Sequence, residues 1–382
     1  MKIVYIYTAL VTVGGADRVV TEKANYLAEK MGHDVYIITD SQNGRQPVFP
    51  LSDKVKHIDL NINFDKQYHH GLAVRAYYYF SLMHLYKKRL TNLLNEIKAD
   101  VVITTLGRDL DFLTKLKDGS KKVGESHIAK QYTRNFHLLE ARGFPYKQIA
   151  KYWRRKQEKA VKRLDAFVVL TQYDAESWSH IKVAEIIPNS LPFYTEESSL
   201  LDEKQIITVG RLSEQKGFDL LISAWSHIAK RHPDWKIHLY GEGELENKLR
   251  TQIAQNLLEN SFIIHKPVKD IKKEYLKSSI YVMSSRFEGF GMVLIEAMAC
   301  GVPCISFDCP HGPSFVIKHG KDGILVENGN IKQLAEAIST LITDTDKRIA
   351  MGKTAKQNIL RYSQGNIMRQ WESLFYKLTN QF

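Results

Sequence analysis

Short, nearly continuous apolar runs alternate along this chain with longer amphipathic stretches. In the first half the runs are Lys2–Tyr7, Asp34–Thr39, Val55–Leu60, Ala99–Thr105, Lys121–Gly124 and Asp165–Thr171, with Ile186–Asn189 closing the series. In the second half they are Gln205–Gly210, Trp235–Gly241, Ser261–His265, Ser279–Met283, Val302–Phe307 and Gly323–Val326. Such runs suit strands covered on both faces, and the segments between them suit helices, so the alternation predicts parallel, doubly wound α/β sheets. It breaks once, after Ser190, where Pro192 and a polar stretch replace the periodic pattern up to Lys204. A chain of 382 residues exceeds the size at which one core keeps growing. The pattern therefore predicts a domain over 1–190, a linker over 191–204, a second domain over 205–360, and a closing segment 361–382 with a helix around Gly365 to Leu378.

Three glycine turns follow predicted strands. The most developed begins after Ile280–Met283: Glu288-Gly289-Phe290-Gly291 leads into a helix from Met292 through Val293, Leu294, Ile295, Ala297 and Met298, stopped by Gly301 and Pro303. A glycine turn feeding a helix presents unpaired N–H groups and the positive end of the helix dipole to one point, which suits a phosphate. Glu288 and Glu296 flank it, eight residues apart. A glutamate near the sugar hydroxyls and another near the ribose could hold both ends of a nucleotide sugar while the amides between hold its diphosphate. The bland reading is a capped, solvated amphipathic helix. The second turn, Val13-Gly14-Gly15-Ala16-Asp17-Arg18, opens a helix running to about Lys30, and a bare glycine pair serves equally as turn geometry. The third, Gly210-Arg211-Leu212-Ser213-Glu214-Gln215-Lys216-Gly217, can set two cations, Arg211 and Lys216, against a diphosphate. A polar strand tip, Glu125-Ser126-His127, lies where ligands collect in open α/β sheets, although a lone histidine is usually structural.

Charge adds a surface. The net charge is +12, densest from Arg142 to Arg163, where nine basic residues meet the single acid Glu158. Such a surface attracts nucleic acid, anionic headgroups or phosphorylated substrates, or is simply solvated. From Gly71 to Ile97 a long helix carries Leu72, Arg75, Ala76, Tyr79, Phe80, Met83, Tyr86, Leu90 and Leu93 at helical spacing, mixed with Lys87, Lys88 and Arg89. Core packing and a membrane interface are both open for it. No apolar run is long enough to span a bilayer and the chain enters a strand at once, so a cytoplasmic protein is expected. Cys300, Cys304 and Cys309 near His311 read as core thiols rather than a zinc cluster. Asp109-Leu110-Asp111 reads as the start of a short helix rather than a metal site.

The motif Ser-Arg-Phe-Glu-Gly-Phe-Gly-Met-Val-Leu-Ile-Glu-Ala-Met-Ala-Cys-Gly-Val-Pro, together with Gly-Arg-Leu-x3-Lys-Gly, resembles the signature of the retaining family 4 glycosyltransferases. The resemblance implies the GT-B architecture, two Rossmann-like doubly wound domains facing a central cleft, with the C-terminal helix of 361–382 crossing back to the first domain. It implies catalytic roles for His127, Arg211, Lys216 and Glu288. Donor contacts would come from Gly14, Gly15, Gly210, Arg211, Lys216, Pro267, Val268, Glu288, Gly289, Phe290, Gly291, Met292, Val293 and Glu296. Where relatives carry glycine, this chain has His265-Lys266-Pro267-Val268, which leaves the base open; UDP is the family's habit. The resemblance also implies retention without a covalent nucleophile, no metal and no cofactor. Within the family the chain is most similar to bacterial enzymes that extend polyprenyl-diphosphate-linked oligosaccharides, so a lipid-linked glycan acceptor, peripheral contact with the inner face of the membrane through Arg75, Lys87, Lys88 and Arg89, and no nucleic-acid partner are expected. The rival expectation is a non-catalytic nucleotide-sugar binder of the same fold.

Overall fold

The computed structural model describes residues 1–12, 14–65, 72–182 and 185–380. Val13 and Gly71, named above, lie outside them. The chain forms two compact units, Met1–Ser190 with Gln364–Phe382, and Leu191–Ser363.

The first unit holds β1 (Lys2–Tyr7), β2 (Asp34–Thr39), β3 (Val55–Asp59), β4 (Val101–Thr104), β5 (Lys121–Glu125), β6 (Ala166–Val169) and β7 (Glu185–Ile186). They make one parallel sheet in the order β3-β2-β1-β4-β5-β6-β7. Residues 3–6 of β1 and all of β4 and β6 are buried, which is why these strands read as unbroken apolar runs. The long helix, Leu72–Ile97, divides along its length. Tyr86, Leu90, Leu94 and Ile97 join a core cluster with Val4, Ile38, Val102 and Phe112. Toward its start Tyr77 is 73% exposed and Phe80 69%. Among the described side chains, the stripe predicted from spacing is thus core over its second half.

The second unit holds β8 (Gln205–Val209), β9 (Lys236–Tyr240), β10 (Phe262–His265), β11 (Ile280–Met283), β12 (Cys304–Phe307) and β13 (Gly323–Val326), parallel in the order β10-β9-β8-β11-β12-β13. Its core gathers Phe218, Trp225, Leu239, Ile305 and Leu334. Cys304 lies in β12, and burial pushes all three thiols up from their ordinary range.

Residues 191–204, which the loss of periodicity marks as a linker, are packed on the second unit. Ser199 donates its N–H to the Cys300 carbonyl, Lys356 reaches the carbonyls of Glu196 and Glu197, and the buried Arg348 guanidinium donates to Leu201 O. These backbone anchors carry no periodicity, so pattern alone reads the stretch as free. The last helix, Gln364–Thr379, belongs to the first unit: Trp371 lies beneath Lys23 with the ammonium 4.0 Å from its ring, and Glu372 meets His33 at 3.5 Å. Among the described residues no helix is long and apolar enough to cross a membrane.

Candidate functional site

In the second sheet the connections after β8 and β11 leave in opposite directions, one toward β9 and the other toward β12, although the two strands are neighbours. The loops that follow these two strands meet there, at the place where open α/β sheets bind ligands. The loop 210–217 follows β8 and the loop 284–291 follows β11. They are held together tightly: Ser284 Oγ donates to Lys216 O at 3.0 Å, and Arg286 grips Asp219 with two bonds of 2.9 and 2.7 Å while donating to Glu214 O. Its guanidinium holds the Asp219 carboxyl below the usual carboxylate range against the opposing effect of burial. Arg286 stands inside the sequence motif, yet its work is to brace one loop on the other.

Between the braced loops Lys216 Nζ lies 2.7 Å from Glu288 Oε1, and Ser285 Oγ donates to the same oxygen at 2.6 Å. Both side chains are largely buried. Gly217, in the left-handed region at φ 61°, ends the first loop so close to the second that a Cβ would stand 2.1 Å from Ser284 O. Gly217→Ala is expected to cost about 2–5 kcal/mol, the sum of left-handed strain and forced repacking. A denaturation midpoint equal to the wild type would show that the two loops are not in contact. Gly291, at φ 89°, caps the helix Met292–Ala299 and supplies no side-chain bond to its first turn. The N-terminal amides of that helix are left uncapped by side chains beside an ammonium, a combination that favours an anion.

The other residues expected at the donor are spread over both loops and the end of β10. Gly210 packs against the Lys216 stem, and Arg211 is exposed with no ion pair among the described residues. Phe290 is buried among Phe315 and Tyr362, so its ring belongs to packing and only its backbone can meet a ligand. Glu296 is 7% exposed and accepts from Tyr275 OH at 3.1 Å. Pro267 and Val268 are exposed after β10, next to a stack in which the His265 ring lies 4.6 Å from Tyr240 and bonds to His238 at 2.9 Å. Burial, with its neighbour's charge, brings His238 down to about 4, so this pair is neutral near pH 7.

The first sheet has its own reversal, between β1 and β4. A cavity of ≈ 470 Å³ opens there, lined by residues that include Thr12, Arg45, Arg108, Ser126, His127 and Arg134. Gly14 caps the first helix, Gly15–Glu29, without a side-chain bond. The nearby anion is the protein's own: Asp17 accepts from Thr12 N and Tyr7 OH, each at 2.8 Å. This carboxylate ties the strand end to the helix and already faces the glycine turn. His127 Nε2 lies 3.5 Å from Glu125, which is bound to Lys23. Burial would raise the Glu125 carboxyl, but Lys23 and His127 overcome it and hold it at about 2.

Two cavity cations had no signal in sequence. Arg134 sits at φ 50° and reaches the carbonyls of Leu106 and Gly107 and the Asp111 carboxylate, while Leu106 is itself at φ 60°. Arg108 lies 4.5 Å over the Phe64 ring and has no ion pair among the described residues. Asp111 is shared by Arg134 and Lys156, and burial pushes the Asp109 carboxyl up to about 6. Of the four cations expected to face a membrane, all are exposed, but Arg89 also bonds Leu60 O and Asn61 O and braces the long helix on the exit of β3.

Residues 13–192 match the family described as Glycosyltransferase Family 4, and residues 194–358 match Glycosyl transferases group 1. A protein of Haemophilus influenzae described as an uncharacterized glycosyltransferase is 30% identical, over 98% of this chain and 99% of that one. AmsD of Erwinia amylovora, an amylovoran biosynthesis glycosyltransferase, is 33% identical over 56% of this chain and 65% of its own length. A crystal structure of a TarM variant from S. aureus, in complex with fondaparinux, α-GlcNAc-glycerol and UDP, superposes with a TM-score of 0.76 at 17% identity, covering 98% of this chain and 99% of that one.

Proposed function

Because this chain belongs to the family 4 glycosyltransferases, which share the GT-B fold, we propose that it moves a hexose or N-acetylhexosamine, with retention and without a metal, from a UDP-sugar to a hydroxyl of a lipid-linked or polysaccharide glycan. The observation that carries this reading is the buried Lys216–Glu288 contact at the mouth of an uncapped helix. In the reaction the bond from the anomeric carbon to the diphosphate breaks and the acceptor oxygen bonds that carbon on the same face. The acceptor proton passes to an oxygen of the departing diphosphate. Lys216, Arg211 and the amides from Gly289 to Val293 take up the charge that develops there, the kind of stabilisation usually largest in catalysis. Glu288 holds sugar hydroxyls and Glu296 the ribose, with Pro267 and Val268 beside the base. His127, with Gly14 and Gly15, is given its role toward the sugar and the phosphates by the family resemblance.

UDP is supported by the nucleotide bound in the TarM complex, and a glycan acceptor by that complex and by the amylovoran enzyme. The cavity of the first unit, a largely apolar pocket carrying Thr12, Asp17, Arg108 and Gln157 as polar groups, suits a sugar acceptor. A lipid-linked acceptor at the cytoplasmic face of the membrane belongs to the same reading, with the exposed Arg75, Lys87 and Lys88 as its first candidate contacts. The test is nucleotide release from UDP-, GDP- and ADP-sugars in EDTA, with and without a bacterial lipid extract. Release from a UDP-sugar in EDTA, increased by the extract, is the expected result. A donor that binds and protects the protein from heat but never turns over would instead favour the non-catalytic binder.

A further inference from the structure

The first unit carries a helical hairpin that the proposed chemistry does not use. Helices Phe136–Glu140 and Tyr146–Val161 pack against each other, bound by Arg154 to Glu140 at 2.9 and 3.1 Å. Ala150, Gln157, Ala160 and Val161 of the longer helix face inward and are buried. Its outer side and the tip are displayed. Five large apolar side chains are exposed there: Leu138, Phe144, Tyr146, Ile149 and Tyr152, with Phe144 reaching 83%. Singly exposed apolar residues need no explanation, but a group on one short element marks a contact surface.

The charge around this group is uncompensated. Residues 142–163 hold nine basic side chains and one acid. That acid, Glu158, is already taken by Lys130 at 3.0 Å and His180 at 3.2 Å. Arg154 and Lys156 are consumed by Glu140 and Asp111. Arg142, Lys147, Lys151 and Arg155 remain exposed with no ion pair among the described residues. Aromatic and aliphatic tips set among free ammonium and guanidinium groups match one surface well, in which an apolar layer begins just beneath a layer of phosphates.

We propose that this hairpin docks the protein on an anionic phospholipid bilayer, with Phe144, Ile149 and Tyr152 among the headgroups and Lys147, Lys151 and Arg155 against their phosphates. The proposal rests on the membrane-linked acceptor read above and moves the contact from the long helix to this hairpin. It also gives the contact a purpose. Gln157 and Thr133 line the cavity of the same unit. Gln157 is eight residues from Ile149, about 12 Å along the helix, so docking brings the cavity close to the headgroups, where a lipid-borne glycan begins.

The test is flotation of the full-length protein with phosphatidylglycerol–phosphatidylcholine vesicles and with phosphatidylcholine alone, at about 0.15 M salt, where screening resembles the cell. Wild type is expected to partition onto the anionic vesicles. Lys147→Gln/Lys151→Gln/Arg155→Gln should weaken binding about ten- to hundredfold, and Phe144→Ser/Ile149→Ser/Tyr152→Ser should weaken it on both vesicle types. Neutralising Arg75, Lys87 and Lys88 should change it less than about twofold. Wild-type binding equal on the two vesicle types, or undiminished in the hairpin variants, overturns the proposal; so does tighter binding of random duplex DNA that the same variants abolish. Nucleotide release measured in parallel without lipid separates the two claims. Loss of release in the wild type defeats the transferase reading, whereas the vesicle result alone decides the docking surface.

Discussion

Replacing Lys216 by methionine is expected to lower kcat by about 10²–10³-fold, the loss of about 2.7–4 kcal/mol seen when one preorganised donor to a developing negative charge is removed. The ammonium is placed by a chain of specific contacts. Ser285 fixes the Glu288 carboxylate that it touches, Gly217 allows its loop to meet Ser284, and Arg286 clamps the loop to the following helix. Methionine keeps the stem packed on Gly210 and removes only the charge. Glu288→Ala should show a comparable loss, with a larger share in binding, because the proposed function gives that carboxylate the sugar to hold as well as the lysine. The double variant should lose less than the sum, since the two groups are in contact. Steady-state kinetics with the preferred donor check this. A rise in KM with kcat unchanged would mean that Lys216 only binds the donor and does not act on its departure.

The second large effect is on stability. Lys23→Met should destabilise the first unit by about 3–5 kcal/mol, the usual result of removing one partner of a buried ion pair. The side chains of Lys23 and Glu125 are only 5% and 1% exposed, and Trp371 of the last helix closes over the ammonium. Burial alone would lower Lys23 and raise Glu125; their attraction opposes both shifts, and for Glu125 it prevails. The pH dependence follows in sign. A carboxyl held at about 2 when folded and near its ordinary value when unfolded stabilises above that ordinary value, and the contribution fades as pH falls toward 2. Lys23→Met should therefore flatten the acid limb of the stability profile between about pH 4.5 and 2. Restoring neutrality with Lys23→Met/Glu125→Gln should recover most of the loss. Denaturation followed by hydrogen exchange in β1 and β5 isolates this unit from the other; equal protection in wild type and Lys23→Met would refute the account.

Much of the donor loop could be read in order along the chain, because its parts are local. Strand, glycine turn and helix are contiguous from Ile280 to Ala299, and each has a one-dimensional signal in an apolar run, two glycines and a 3.6-residue period. Lys216 was legible for the same reason, lying in a motif directly after β8. The first unit was less legible. Arg134 enters its cavity from a residue in the left-handed region, and Arg108 is positioned by Phe64 from a distant segment. Neither contact leaves a mark on neighbouring residues. Arg286 and Arg89 went the other way: both look like ligand or membrane cations by type, and both prove to be braces once their carbonyl and carboxylate partners are near.

The sequence by itself determined the strands, their burial on both faces, two doubly wound sheets and the glycine turns that end β8 and β11. Those properties follow from the period of hydrophobicity and from which residues tolerate positive φ, and both are set by neighbours in the chain. Only the tertiary structure decided that Lys216 meets Glu288 across 72 residues, that Lys23 is buried against Glu125 across 102, that residues 191–204 are anchored to the second unit, and that the long helix is core for half its length. A charge acquires its role from the groups that replace its water, and those groups arrive from remote parts of the chain.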